Sequence, residues 1–126
     1  MMKGHRFSTR LGFAWAGLRA AWRQEKSLRT HALATAAVVV ALLWTRSPGL
    51  WWAIMAVTIG LVVATELINT AIEALCDHLH PQRHDAIGLT KDVAAGAVLM
   101  SSLVALVVAL AFAVDQVWPA LQRWLH

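Results

Sequence analysis

The chain has 126 residues, of which 59% are hydrophobic and only 14% charged, with a mean hydropathy of +0.58. A single domain of this size buries too little surface to hide so much apolar material from water, which excludes an ordinary soluble globule and makes lipid the expected solvent. The formal net charge is +4, and seven of the eleven Lys and Arg residues precede residue 31, which assigns the basic excess to an anionic membrane surface and not to nucleic acid.

Residues 1–9 read as a loose polar start. An amphipathic helix follows over about 8–27, where Phe7, Leu11, Trp15, Leu18 and Trp22 recur at steps of three and four and share one stripe. Arg19, Arg23 and Lys26 flank that stripe, close enough to reach headgroups from a helix lying in the interface. The first apolar run, Ala32–Trp44, is short for a span that needs about 20 residues, so the helix is expected to begin earlier and span about 28–46. No cleavage site follows it, and no signal peptide is expected. Thr45–Gly49 breaks the chain, with Pro48 and Gly49 as the breakers.

A second span is expected over about 50–76, uncharged as far as Thr65. The segment 77–91 is polar, contains Pro81 and reads as a loop or short surface helix. The third span, about 92–115, contains the longest uncharged run. With three spans, the N-terminus and the 77–91 segment share a side that carries nine of the eleven Lys and Arg, so that side is expected to be cytoplasmic. Trp44, Trp51, Trp52, Trp118 and Trp124 gather at the opposite interface, as aromatic belts do. The lone Cys76 leaves no intramolecular disulfide to form.

The chemistry is concentrated near the end of the second span. On a helix, Glu66, Asn69, Thr70, Glu73 and Asp77 fall within a sector of about 100°. Carboxylates in a membrane helix are expensive and point to function, although pairing with Arg or Lys of the amphipathic helix would be a purely structural use of them. Paired carboxylates suit Mg²⁺, a hard cation that takes oxygen ligands, and one of them suits general-base work. Glu25 is the only acid before the first span. Lys91 and Asp92 open the third span at the same face, where a lysine is a candidate phosphate contact. The cluster Asp77, His78, His80, His84 and Asp85 follows no metal-ligand spacing. There is no Walker A sequence and no glycine-rich kinase loop. A small proton- or cation-conducting protein that uses the Glu66–Glu73 stripe is the alternative reading.

Three blocks resemble the prokaryotic diacylglycerol kinase family. They are Gly17–Trp22 with Glu25, Glu66–Glu73 with Asp77, and Lys91–Leu99. The resemblance covers about residues 6–115. It implies an all-α integral membrane protein, one interfacial helix plus three transmembrane helices, assembled as a homotrimer with shared active sites in the bacterial inner membrane. The implied activity is ATP- and Mg²⁺-dependent transfer of the γ-phosphate to a lipid hydroxyl at the cytoplasmic face. Glu66 then resembles the general base, Glu25 and Glu73 the Mg²⁺ ligands, and Lys91, Asp92, Arg6 and His84 the nucleotide contacts. The lipid acceptor falls to Glu66, Asn69, Trp22, Arg29 and His31. Phe13 and His31 stand where the best-known diacylglycerol kinases have tyrosine and glutamate. The run Leu28-Arg29-Thr30-His31 resembles the undecaprenol-kinase branch, which favours undecaprenol over diacylglycerol as acceptor.

Overall fold

The computed structural model describes residues 6–126. Lys3 and most of the polar N-terminal stretch lie outside the described residues. Among these residues the chain is helical throughout, with no strand. Helix α1 is Phe7–Gln24, α2 is Lys26–Trp44, α3 is Gly49–Leu79, α4 is Asp85–Phe112 and α5 is Trp118–Leu125, with a π-helical turn over Ala113–Val117 between the last two. α2, α3 and the continuous stretch Asp85–Leu125 are each long and apolar enough to cross a membrane.

α1 has no buried residue, and Phe7, Leu11, Trp15, Leu18 and Trp22 all lie exposed along it. An apolar stripe left open on one protomer needs a lipid boundary or a neighbour to cover it. The break between α1 and α2 is one residue wide. Glu25 adopts extended dihedrals (φ −110°, ψ 111°) between two helices and so turns the chain from one axis to the next without proline or glycine. The short run at Ala32–Trp44 becomes a full helix because a polar first turn and a half, from Lys26, is added to it.

α2 ends in a Schellman arrangement. Ser47 N–H reaches Leu42 O at 3.1 Å and Arg46 N–H reaches Leu43 O at 3.2 Å, with Arg46 in the left-handed region at φ 53°. The chain reverses at an arginine in a position that favours glycine, whereas Gly49 is simply the first residue of α3, behind Pro48 as N-cap.

α3 has 31 residues and is therefore about 46 Å long, some 16 Å more than a hydrocarbon core of about 30 Å. The excess falls at its acidic end. The 77–91 segment, expected as a loop or short surface helix, is mostly the ends of the two long helices, because α3 runs on to Leu79 and α4 starts at Asp85. Only residues 80–84 connect them. His84 caps α4, its Nδ1 accepting from Ala86 N–H at 3.1 Å, and Asp85 in the first turn complements the helix dipole.

α3 and α4 are the closest pair, α2 packs on α3, and α1 packs on α2. Thr65 and Ser101 join α3 to α4 through a hydroxyl pair at 2.8 Å. The small core of Leu42, Met55 and Phe112 lies away from the acidic end, with Trp51 edge-on to Phe112 at 5.3 Å. The helix does not stop at 115 but passes through the π turn, where Trp118 N–H bonds Ala113 O. Pro119 supplies the reason. It has no N–H for the carbonyl of Asp115 and its ring crowds that carbonyl, so the ladder shifts register. The wider turn directs Asp115 and Gln116 inward. Asp115 accepts from Trp51 Nε1 at 2.8 Å, and Gln116 accepts from Ser47 Oγ at 2.9 Å.

Candidate active site

Glu66 is half-buried on α3, and both of its carboxylate oxygens face α2. Oε2 accepts from Ser27 Oγ at 3.4 Å, and Oε1 lies 3.3 Å from His31 Nε2. Ser27 and His31 are one turn apart and therefore on one face of α2. One turn further along α3, Asn69 Nδ2 donates to Glu73 Oε1 at 3.3 Å. Asn69 Oδ1 is buried and has no hydrogen-bond partner among the described residues. A buried acceptor left bare is costly, so it marks a place where a further group belongs.

At the end of the stripe, Lys91 Nζ of α4 donates to Asp77 Oδ1 of α3 at 2.8 Å. The two acids of the stripe with charged or ionisable partners thus pair with His31 and Lys91. Among the described residues no ion pair joins Glu66, Glu73 or Asp77 to an arginine of α1.

The remaining candidates are placed around these three pairs. Glu25 is half-buried at the joint between α1 and α2. Trp22 lines an apolar cleft of about 460 Å³ together with Trp15, Leu18, Leu28 and His31, and His31 is also the imidazole beside Glu66. Arg6 is the N-cap of α1. Its side chain and those of Arg29 and Asp92 are exposed and bond to none of the three pairs. His84 serves as the α4 cap and stacks edge-on with His80 at 5.0 Å. Among the described residues no group of three or more His, Cys, Asp and Glu surrounds a common point. Sequence reasoning passed over Ser27. Its signal was available in the i, i+4 spacing with His31.

The geometry is that of a half-buried carboxylate on α3 held at both oxygens from α2, with the Asn69–Glu73 pair further along α3 and Lys91 of α4 bonded to Asp77 at the same end of the bundle. Comparisons with known proteins give the family. Residues 12–113 match the family model for prokaryotic diacylglycerol kinase. A diacylglycerol kinase of Escherichia coli K12 is 33% identical over 96 residues, covering 76% of this chain and 79% of the relative. One from Synechocystis is 35% identical over 97 residues, covering 76% of this chain and 55% of the relative. An undecaprenol kinase of Bacillus subtilis is 30% identical over 106 residues, covering 84% and 86%. The chain belongs to the prokaryotic diacylglycerol kinase family and is a lipid kinase.

Proposed function

We propose that this protein transfers the γ-phosphate of ATP, with Mg²⁺, to the hydroxyl of a membrane lipid at the cytoplasmic face of the bacterial inner membrane. The observation that carries the reading is the position of Glu66, a half-buried carboxylate of α3 beside His31, which itself lines the apolar cleft. The cleft takes the lipid chain, and the lipid hydroxyl comes to rest beside Glu66. Its oxygen attacks the γ-phosphorus, the bond from that phosphorus to the bridging oxygen breaks, ADP leaves, and the hydroxyl proton goes to Glu66.

Phosphoryl transfer needs positioning and charge neutralisation more than covalent help. Lys91 supplies a cation at the right end. Its bond to Asp77 is an exposed ion pair, which contributes little and is readily exchanged for phosphate. Glu25 and Glu73 are the carboxylate donors a hard divalent cation takes, and the bare Oδ1 of Asn69 beside Glu73 is a further acceptor for water bound to it. Mg²⁺ held there would neutralise phosphate charge. Asp92, Arg6 and His84 are read as further nucleotide contacts, and Trp22, Arg29 and His31 as lining the path of the lipid.

The chain is read as a homotrimer with sites shared between subunits. Each protomer leaves most of its apolar helical surface uncovered. Undecaprenol is the preferred acceptor ahead of diacylglycerol, on the run Leu28–His31.

The test is phosphate transfer from labelled ATP by the purified protein in mixed micelles with Mg²⁺, offering the two lipids separately. Label in either lipid, reduced at least about 100-fold in Glu66→Gln, supports the reading and chooses the acceptor. No label in either lipid, from folded protein, refutes it.

A further inference from the structure

We propose that Ser27 and His31 are positioning residues for Glu66, which makes the catalytic unit a Ser–His–Glu cluster built across the α2–α3 contact. The inference rests on the reading of Glu66 as the base. It departs from the assignment of His31 to the lipid.

Three observations carry it. Each partner takes a different oxygen of the same carboxylate, Ser27 at Oε2 and His31 at Oε1. Both partners come from one face of one helix, so they act on Glu66 as a single rigid edge. The contact is made where Glu66 and His31 are both largely shielded, with side-chain exposures of 18% and 28%. The His31 turn is itself tied down, since its carbonyl accepts from Thr35 Oγ1 at 2.7 Å.

A base must start as a carboxylate, which only accepts hydrogen bonds. The two partners must therefore donate, Ser27 through its hydroxyl and His31 through Nε2–H. Each oxygen of the carboxylate retains a further lone pair for the incoming hydroxyl proton. A glutamate side chain has three rotatable bonds, and a base that wanders by an ångström loses much of its effect. Holding both oxygens removes that freedom before the lipid arrives. The bonds are long at 3.3 and 3.4 Å, as bonds at such sites often are until substrate closes them.

A positioning role and a lipid-contact role separate in kinetics. Steady-state rates would be measured on the full trimer-forming chain in mixed micelles, varying ATP and lipid independently. His31→Leu is expected to lower kcat about tenfold while both KM values stay within about twofold. His31→Gln places an amide N–H near the position of Nε2–H, and it is expected to recover kcat to within about threefold of the wild type. Ser27→Ala, which removes one oxygen and little volume, is expected to lower kcat about threefold.

Unchanged kcat in His31→Leu overturns the proposal. So does a raised lipid KM at unchanged kcat, which returns His31 to the lipid. Equal losses in His31→Leu and His31→Gln also overturn it, because then the lost bond is not the cause. If His31→Leu fails to fold, Ser27→Ala and His31→Gln decide alone: an unchanged kcat in Ser27→Ala or a collapsed kcat in folded His31→Gln refutes it. Glu66→Gln in the same assay separates the two levels. If Glu66→Gln is fully active, the reading of the base itself fails. If it is inactive while the Ser27 and His31 variants are unaffected, only the positioning proposal fails.

Discussion

The hydroxyl pair between Thr65 and Ser101 fixes the register of α3 against α4 next to Glu66, and its worth can be stated in advance. Thr65→Val replaces one hydroxyl with a methyl at nearly constant shape, and Ser101→Ala removes the other. Each hydroxyl has one proton, so one of the two donates across the pair while the other donates to its own helix, and after either substitution the survivor keeps a carbonyl within reach, Val62 O at 2.9 Å from Thr65 or Val98 O at 3.0 Å from Ser101. Neither single variant therefore leaves a stranded polar atom, and the large penalty for an unsatisfied buried group is avoided. What is lost is the cross-helix bond alone, about 0.6 kcal/mol on average in membrane proteins and up to about 1.7. At about 0.6 kcal/mol the unfolding equilibrium constant changes about threefold. Since the same bond is lost in either variant, the double variant should cost little more than one single, a coupling of about 0.6 kcal/mol. The assay is unfolding in mixed micelles against denaturing detergent, followed by tryptophan fluorescence at fixed protein and lipid concentration, because an oligomer's stability depends on both. Strict additivity would show that the hydroxyls do not meet. A single-variant loss above about 3 kcal/mol would show that a polar group is stranded after all, and the register argument would fall with it.

Two other outcomes follow from particular residues. Arg46→Gly should raise stability by about 0.5–1 kcal/mol, visible as a higher thermal midpoint at unchanged activity, because a side chain in the left-handed region is strained and glycine there is not; no gain would mean that Arg46 holds the turn by its side chain. Cys76 is buried at 7% exposure, so the folded protein should resist a maleimide that labels it promptly once denatured, and prompt labelling of the folded form would contradict the packing of α3.

Much of the fold was legible because a membrane span imposes a coarse, strong signal. Uncharged runs and an acidic stripe at helical spacing need no tertiary information. The boundaries escaped for local reasons. The polar segment 77–91 reads as loop by composition, yet His84 caps a helix there and Lys91 reaches back to Asp77, so charged residues carry both helices past the apolar zone. The reversal after Trp44 was credited to Pro48 and Gly49, whereas the left-handed residue is Arg46, a choice that φ alone reveals. The third span was ended at about 115 with its uncharged run, and nothing in that run showed that a π turn before Pro119 would carry the helix further. At the candidate site, the stripe Glu66–Glu73 was visible from spacing. Its partners on α2 were not, because a half-polar first turn at Lys26–His31 looks like a headgroup anchor until α2 is laid against α3.

The two ends of the bundle are held together differently, and the difference fits a kinase. At the end opposite the acid stripe the bonds interlock, and all but Arg123 to Thr45 O at 3.3 Å are short, whereas at the acid end the one short bond is the exposed Lys91–Asp77 pair at 2.8 Å. Thr45 and Ser47 hydroxyls lie 2.6 Å apart, Ser47 reaches Gln116 at 2.9 Å, Asp115 takes Trp51 at 2.8 Å and Gln116 at 2.7 Å, and Arg123 closes on Thr45 O. These bonds connect α2, α3 and the π turn beside the Leu42–Met55–Phe112 core. At the acid end the bonds around Glu66 and Glu73 run from 3.3 to 3.4 Å, and one carbonyl oxygen of Asn69 has no partner. An active site that must admit a lipid, a nucleotide and a cation needs polar groups whose bonds can be exchanged for bonds to substrate, and fully satisfied groups would resist the exchange. On the proposed reading, a bundle fixed at one end and incompletely satisfied at the other keeps α2 and α3 in register, holds Glu66 at both oxygens with a lone pair to spare, and leaves Asn69 and Glu73 able to exchange their bonds for bonds to the reactants.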